Sequence, residues 1–119
     1  MNQIIRLPVI ELNWSDFTPV GTVKNSDLPA KAGVYEVINE KSETLHIGRA
    51  SNLKARVMQA FIKDNSPHST RERMVKNGVD INKLKIRWAQ TDWPNAVEEY
   101  LHKEYKRKHS SLPKYTKNT

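Results

Sequence analysis

Four side chains of this sequence, Tyr35, His46, Arg56 and Glu98, have the types and spacing to do chemistry together. Tyr35 closes the run Gly33-Val34-Tyr35, and His46 opens the run His46-Ile47-Gly48. If these runs pair as adjacent strands with both residues on one side, a phenol and an imidazole come within reach of one small molecule. Arg56 falls on or near the apolar stripe of the helix that follows, where a guanidinium must be paired or aimed into a cleft. The loop Gly48-Arg49-Ala50-Ser51 brings backbone N–H groups to the positive end of that helix, a natural seat for phosphate. Glu98 shares a helix face with His102 and borders the apolar side marked by Val97 and Leu101. One hard oxygen donor with open positions suits a Mg²⁺ that keeps most of its waters. Each residue also has a plainer reading. A strand tyrosine is commonly a half-buried packing residue, a strand histidine a satisfied core or surface group, and a helical glutamate a solvated one.

The elements that must position these groups follow from the apolar pattern. Val34, Tyr35, Val37 and Ile38 form a β-branched and aromatic run that ends at Asn39-Glu40-Lys41-Ser42-Glu43, and Thr44 to Gly48 follows as its antiparallel partner. Ser51 or Asn52 caps a helix whose Leu53, Val57, Ala60 and Phe61 make one apolar face to about Ile62. A second helix is expected from about Ser69 to Lys76, before the stop at Asn77-Gly78. Lys83 to Ala89 alternates as a strand, with Leu84, Ile86 and Trp88 on one side and a basic outer face of Lys83, Lys85 and Arg87 on the other. Asp92-Trp93-Pro94 opens the last helix, with proline in its first turn, and helix formers continue to about Lys108. Proline and glycine interrupt the first 32 residues and leave short extended pieces around Val9–Trp14. The expected fold is α+β, a small antiparallel sheet covered by helices in the order β-β-α-α-β-α, with residues 1–27 as an arm packed on a domain at 28–119.

Composition narrows the function. The 119 residues suit one domain, and nothing repeats. Residues 1–48 carry a net −2 and residues 49–119 a net +9, so the overall +7 is concentrated in the later part. That imbalance favours a polyanionic partner, nucleic acid first, although lysines also simply solubilise small domains. With no cysteine, disulfides, thiolate zinc sites and thiol nucleophiles are excluded. The chain has no apolar run near the ~20 residues of a membrane span and no signal-peptide pattern at its start, so a cytoplasmic setting without a membrane partner is expected.

Taken in order, Gly33-Val34-Tyr35, His46-Ile47-Gly48, Ser51-Asn52-Leu53-Lys54-Ala55-Arg56 and Val97-Glu98 before Leu101-His102 resemble a GIY-YIG nuclease domain in a GVY…HIG variant. The family includes homing endonucleases, some restriction enzymes and the incision enzyme of bacterial nucleotide-excision repair. The resemblance covers roughly Leu28 to Asn118 and implies a three-stranded antiparallel sheet flanked by helices. It further implies a metal-dependent endonuclease that hydrolyses the phosphodiester bonds of DNA, RNA not being excluded, with Mg²⁺ or Mn²⁺ as cofactor. Tyr35 would then act as the general base or orienter of the attacking water, Arg56 would hold the scissile phosphate, and Glu98 would bind the metal. Arg49, Lys54, Lys83, Lys85 and Arg87 would grip the backbone. The family's closing Pro-x-x-Asn corresponds to Pro113-Lys114-Tyr115-Thr116, with Thr116 at the asparagine position and Asn118 as its substitute two residues on.

Two departures matter chemically. His46 replaces the second family tyrosine, and Ala60 stands where a His or Tyr often follows the arginine by one turn. An imidazole with an ordinary pKa of about 6.5 is a better base near neutrality than a phenol, so cleavage is expected to fall as pH drops through that value. The competing reading is a catalytically degenerate module of the same fold that binds nucleic acid through its basic residues. A protein-interaction domain using Trp88 and Trp93 is a third.

Overall fold

Strand β1 (Thr18–Pro19), the hairpin of β2 (Gly33–Ile38) and β3 (Thr44–Ala50), and β4 (Lys85–Gln90) form one antiparallel sheet in the order β1-β4-β2-β3. The helices are α1 (Leu53–Val57), α2 (Thr70–Lys76) and α3 (Pro94–His109). This computed structural model describes residues 12–59 and 70–116. Expectations that fall on residues 1–11, on Ala60, Phe61, Ile62 and Ser69, and on Asn118 lie outside the described residues.

Local chemistry explains why the elements begin and end where they do. At the hairpin turn, Asn39 Oδ1 accepts from the backbone N–H of Lys41 and of Glu43, each at 2.9 Å, mimicking a backbone turn. Asn52 is the cap of α1, its Oδ1 accepting from Ala55 N at 3.1 Å. Helix α2 ends in a Schellman motif, with Val79 N bonded to Met74 O and Gly78 N to Val75 O. That motif requires a positive φ, and Gly78 supplies it at 83°. Helix α3 starts on Pro94 and stops at Ser110, whose φ of 66° turns the chain left-handed.

The sheet buries both faces. On one, Tyr35 and Val37 of β2, Ala50 of β3 and Ile86 of β4 pack with Leu53 and Val57 of α1, Met74 of α2 and Tyr115. On the other, Val34 and Ala89 pack against Val97 and Leu101 of α3. Alternation along β2 assigns its residues to these two faces in turn.

Two sequence expectations are corrected here. The sheet has a fourth strand, because Thr18 and Pro19 pair with Ile86 and Lys85. Two residues give no periodicity to read, and a proline without an N–H fits only such an edge. Of the extended pieces expected around Val9–Trp14, the described part, Leu12–Trp14, belongs to no strand, and the next residue joins the sheet through one bond, Ser15 N to Trp88 O at 2.8 Å. The second correction concerns the basic face of β4. Lys83 ends a 3₁₀ turn (Ile81–Lys83) ahead of the strand, and Arg87 is not free. Its guanidinium bonds Glu36 at 2.6 Å and lies 4.1 Å from the Trp14 ring centroid and 4.7 Å from that of Phe17. Glu36 is held in turn by the Thr44 hydroxyl at 2.6 Å.

Arg87 therefore ties the N-terminal segment to the sheet. Arg87→Ala removes two cation–π contacts and strands a largely buried carboxylate, so denaturant unfolding should show a loss of about 2 kcal/mol. A loss within about 0.5 kcal/mol would reduce the cluster to a surface ion pair.

Candidate active site at the edge of the sheet

Tyr35 and His46 meet across β2 and β3, and the meeting depends on Gly48. Gly48 is the cross-strand partner of Tyr35 and carries no side chain: a Cβ built there would lie 2.6 Å from Tyr35 Cζ and Oη and 2.9 Å from His46 Nε2. The phenol thus crosses bare backbone to reach the imidazole. Tyr35 Oη lies 3.4 Å from His46 Nε2, and the rings are tilted with centroids 5.5 Å apart. At its other end, His46 Nδ1 lies 3.2 Å from the carbonyl of Tyr115. A carbonyl only accepts, so Nδ1 carries the proton and Nε2 is left to accept from the Tyr35 hydroxyl.

Burial sets the charge of both groups. Tyr35 is 3% and His46 8% exposed. Desolvation, the largest cause, pushes His46 down to about 4; the Tyr115 carbonyl opposes this, while the charges of Arg73, His102 and Arg56 add to it. His46 is therefore neutral at pH 7 and able to accept. Burial also pushes Tyr35 up to about 12, with Arg56 lowering it and Glu98 raising it. The phenol keeps its proton at neutral pH, and the charges of both Arg56 and Glu98 act on it. The base assigned from the sequence an ordinary pKa of about 6.5 is thus corrected, because its strand is buried.

Helices α1 and α3, which both pack against β3, carry the remaining groups. Arg56, near the apolar stripe by sequence, is exposed, and makes no ion pair with a described residue. Glu98 projects from α3 onto the other side of β3, where its Oε1 accepts from Arg49 Nη1 at 2.8 Å. His102, one turn on, bonds the Ile47 carbonyl at 3.1 Å. From the C-terminal segment, Thr116 Oγ1 accepts from Ile47 N at 2.9 Å, and Tyr115 N donates to Leu45 O at 2.8 Å. These bonds occupy backbone groups that an edge strand otherwise leaves bare.

Residues 31–115 match the UvrC-like GIY-YIG domain family. The chain belongs to the GIY-YIG family. Among relatives, it is 33% identical over 104 residues to UvrABC system protein C of Bacteroides fragilis, covering 87% of this chain and 16% of that protein. UvrABC system protein C of Bacteroides thetaiotaomicron is 33% identical over 89 residues, and that of Mesoplasma florum 30% over 89, each covering 75% of this chain and 14% of the relative. The chain therefore spans about one-sixth or less of the length of these relatives.

Within this GIY-YIG domain, Tyr35 and His46 touch, while Arg56 of α1 and Glu98 of α3 act on Tyr35 through their charges. Gly48 is the glycine the crossing requires, and Thr116, at the family's asparagine position, stands 3.4 Å from His46 Nδ1. Lys54, in α1, is half-buried. Lys83 and Lys85 are exposed but lie on the β4 side of the sheet, with β2 between them and β3. Arg87 is committed to Glu36. Two participants escaped the sequence reading. The Tyr115 carbonyl is a backbone atom with no side-chain signature, and the only sequence sign of it is the Pro113-x-x-Thr116 match. His102 was visible as the i,i+4 neighbour of Glu98, but its bond to Ile47 depends on how α3 docks.

As a metal site, the edge offers a single carboxylate; among the described residues no three His, Cys, Asp or Glu converge. That donor set fits a hard cation held mainly through water and phosphate oxygens, and does not fit a zinc cage.

The buried neutral imidazole makes stability depend on pH. Its folded pKa of about 4 lies below the unfolded value of 6.5, so the unfolded chain binds more protons between the two. The contribution is full above pH 6.5 and is lost as pH falls toward 4, by about 3 kcal/mol in all. Urea unfolding of the wild type and of His46→Gln across this range should show the extra loss in the wild type alone. Parallel curves would mean that His46 is solvated.

Proposed function

We propose that this domain hydrolyses phosphodiester bonds of DNA at the edge formed by Tyr35, His46, Arg56 and Glu98. The observation that supports the reading is the bonded chain from Tyr35 through His46 to the Tyr115 carbonyl, set between the charges of Arg56 and Glu98. Membership of the GIY-YIG family and a net charge of +7 support nucleic acid as the partner, and the match to UvrC-like members supports DNA.

Glu98 would hold a Mg²⁺ or Mn²⁺ ion, through its second oxygen or by displacing Arg49. When bound, such an ion supplies Lewis acidity toward the phosphoryl oxygens. The chain's own groups do the rest. A water bonded to the Tyr35 oxygen gives up a proton to it as the phenol passes its own proton to His46 Nε2. The water oxygen forms the new bond to phosphorus, and the bond to the leaving oxygen breaks. Arg56 presents parallel N–H donors to two nonbridging oxygens and offsets the charge that grows on them.

A second reading rests on the Arg49–Glu98 pair. A carboxylate already neutralised at 2.8 Å suits a fold retained to bind nucleic acid without cutting it. Supercoiled plasmid and branched DNA, incubated with Mg²⁺ or with chelator, separate the two. The nuclease reading expects metal-dependent nicking that falls at least about 100-fold in Arg56→Ala and in Glu98→Gln. Salt-sensitive DNA retention by all three proteins without any cutting would establish the binding module.

The relay also sets the pH profile. Protonated His46 cannot accept from Tyr35, so cleavage should persist through pH 6.5 and fall only as pH approaches about 4. A loss centred near pH 6.5 in the rate profile would contradict the buried relay.

A further inference from the structure

Apart from the catalytic edge, a second group of cations surrounds a cavity of its own. Arg73, Lys76 and Asn77 at the end of α2 and Lys114 and Tyr115 of the C-terminal segment line a cavity of about 250 Å³, with no carboxylate among these lining residues. Arg73 is fixed there. Its Nη2 donates to the Tyr115 carbonyl at 3.0 Å and to Thr70 Oγ1 at 3.3 Å, while its buried Nε has no partner among the described residues. Asn77 Nδ2 donates to the Tyr115 hydroxyl at 3.1 Å, and Lys114 Nζ stands 5.6 Å from that ring's centroid. Lys76 and Lys114 make no ion pair with a described residue. The negative end of α2 accounts for a cation or two on its own last turn. It does not account for Lys114, which arrives from another segment to the same cavity.

We propose that this cavity binds a second backbone phosphate of the nucleic-acid substrate, one flanking the scissile phosphate, an inference that rests on the nuclease reading above. The link to the catalytic edge is a shared atom. The Tyr115 carbonyl accepts from both Arg73 Nη2 and His46 Nδ1, so the cation of the flanking site and the imidazole of the relay are anchored at one point. The charges of Arg56 and Arg73 both act on that imidazole. A strand held by Arg56 at the cut would extend past this imidazole toward Arg73, where two exposed lysines complete a cationic seat.

The test is binding in chelator, where no cutting interferes. Oligonucleotides in which one phosphate at a time is replaced by an uncharged methylphosphonate are titrated against the wild type and against Lys76→Ala/Lys114→Ala. Both lysines are exposed, and circular dichroism checks that the variant is folded. At one position beside the cut, the replacement should weaken wild-type binding by about tenfold and leave the variant nearly unaffected, and the variant's salt slope should be shallower by about 1. Identical position profiles in the two proteins overturn the inference and leave the nuclease reading standing. A wild type that binds no nucleic acid overturns both. Orthophosphate, followed by the amide resonances of Asn77 and Tyr115, is expected to be displaced by the oligonucleotide. If it stays bound, the cavity is a site for free phosphate and the backbone assignment is overturned.

Discussion

The site depends on one close crossing, the passage of the Tyr35 phenol over Gly48 to His46. No side chain fits at position 48, since a Cβ would come within 2.6 Å of the phenol. The crossing also needs an imidazole held at its far nitrogen, which the Tyr115 carbonyl does. Neutral His46 and protonated Tyr35 follow from the same burial that takes both side chains out of water. Packing and the protonation states of the pair are thus one arrangement. The hydrophobic face that stabilises the sheet is also what sets the acid–base state of the pair.

Strand β3 is the platform on which this happens, and its position at the edge of the sheet is what gives it two kinds of neighbour. On one side it has the Tyr35 face and α1; on the other it has α3, which brings Glu98 to Arg49 and His102 to the Ile47 carbonyl. The C-terminal segment closes the remaining backbone groups through Tyr115 and Thr116. An edge strand covered by side chains and by a short segment, rather than by another strand, is protected from further pairing and still leaves room for a ligand at its rim. Arg49 satisfies Glu98 in the described structure.

Much of this was legible in the sequence where the signal is local. The hairpin could be read from its β-branched run and its asparagine turn, the start of α1 from Asn52, the end of α2 from Gly78 and the start of α3 from Pro94. Tyr35, His46, Arg56 and Glu98 could be named together only because the ordered motifs resemble a family; periodicity alone left each with a plainer reading. What the sequence did not show is long-range. Arg87 alternates like an outward lysine-type residue until Glu36, Trp14 and Phe17 are brought to it by strand pairing. The pKa of His46 departs from the free value because of what covers it, and nothing in the motif records that cover. The Tyr115 carbonyl is invisible to any reading based on side chains.

The measurement that tests the account most directly is the protonation of the His46 ring, read by ¹⁵N NMR of histidine side chains between pH 7 and 4. The expected result is a neutral ring with the proton on Nδ1 and Nε2 bare, unchanged as the pH passes about 6.5. Replacing Tyr35 with phenylalanine should then shift the Nε2 resonance, because its donor is gone. A proton on Nε2 at pH 7, or titration of the ring near its ordinary pKa, would contradict the relay on which the proposed chemistry rests.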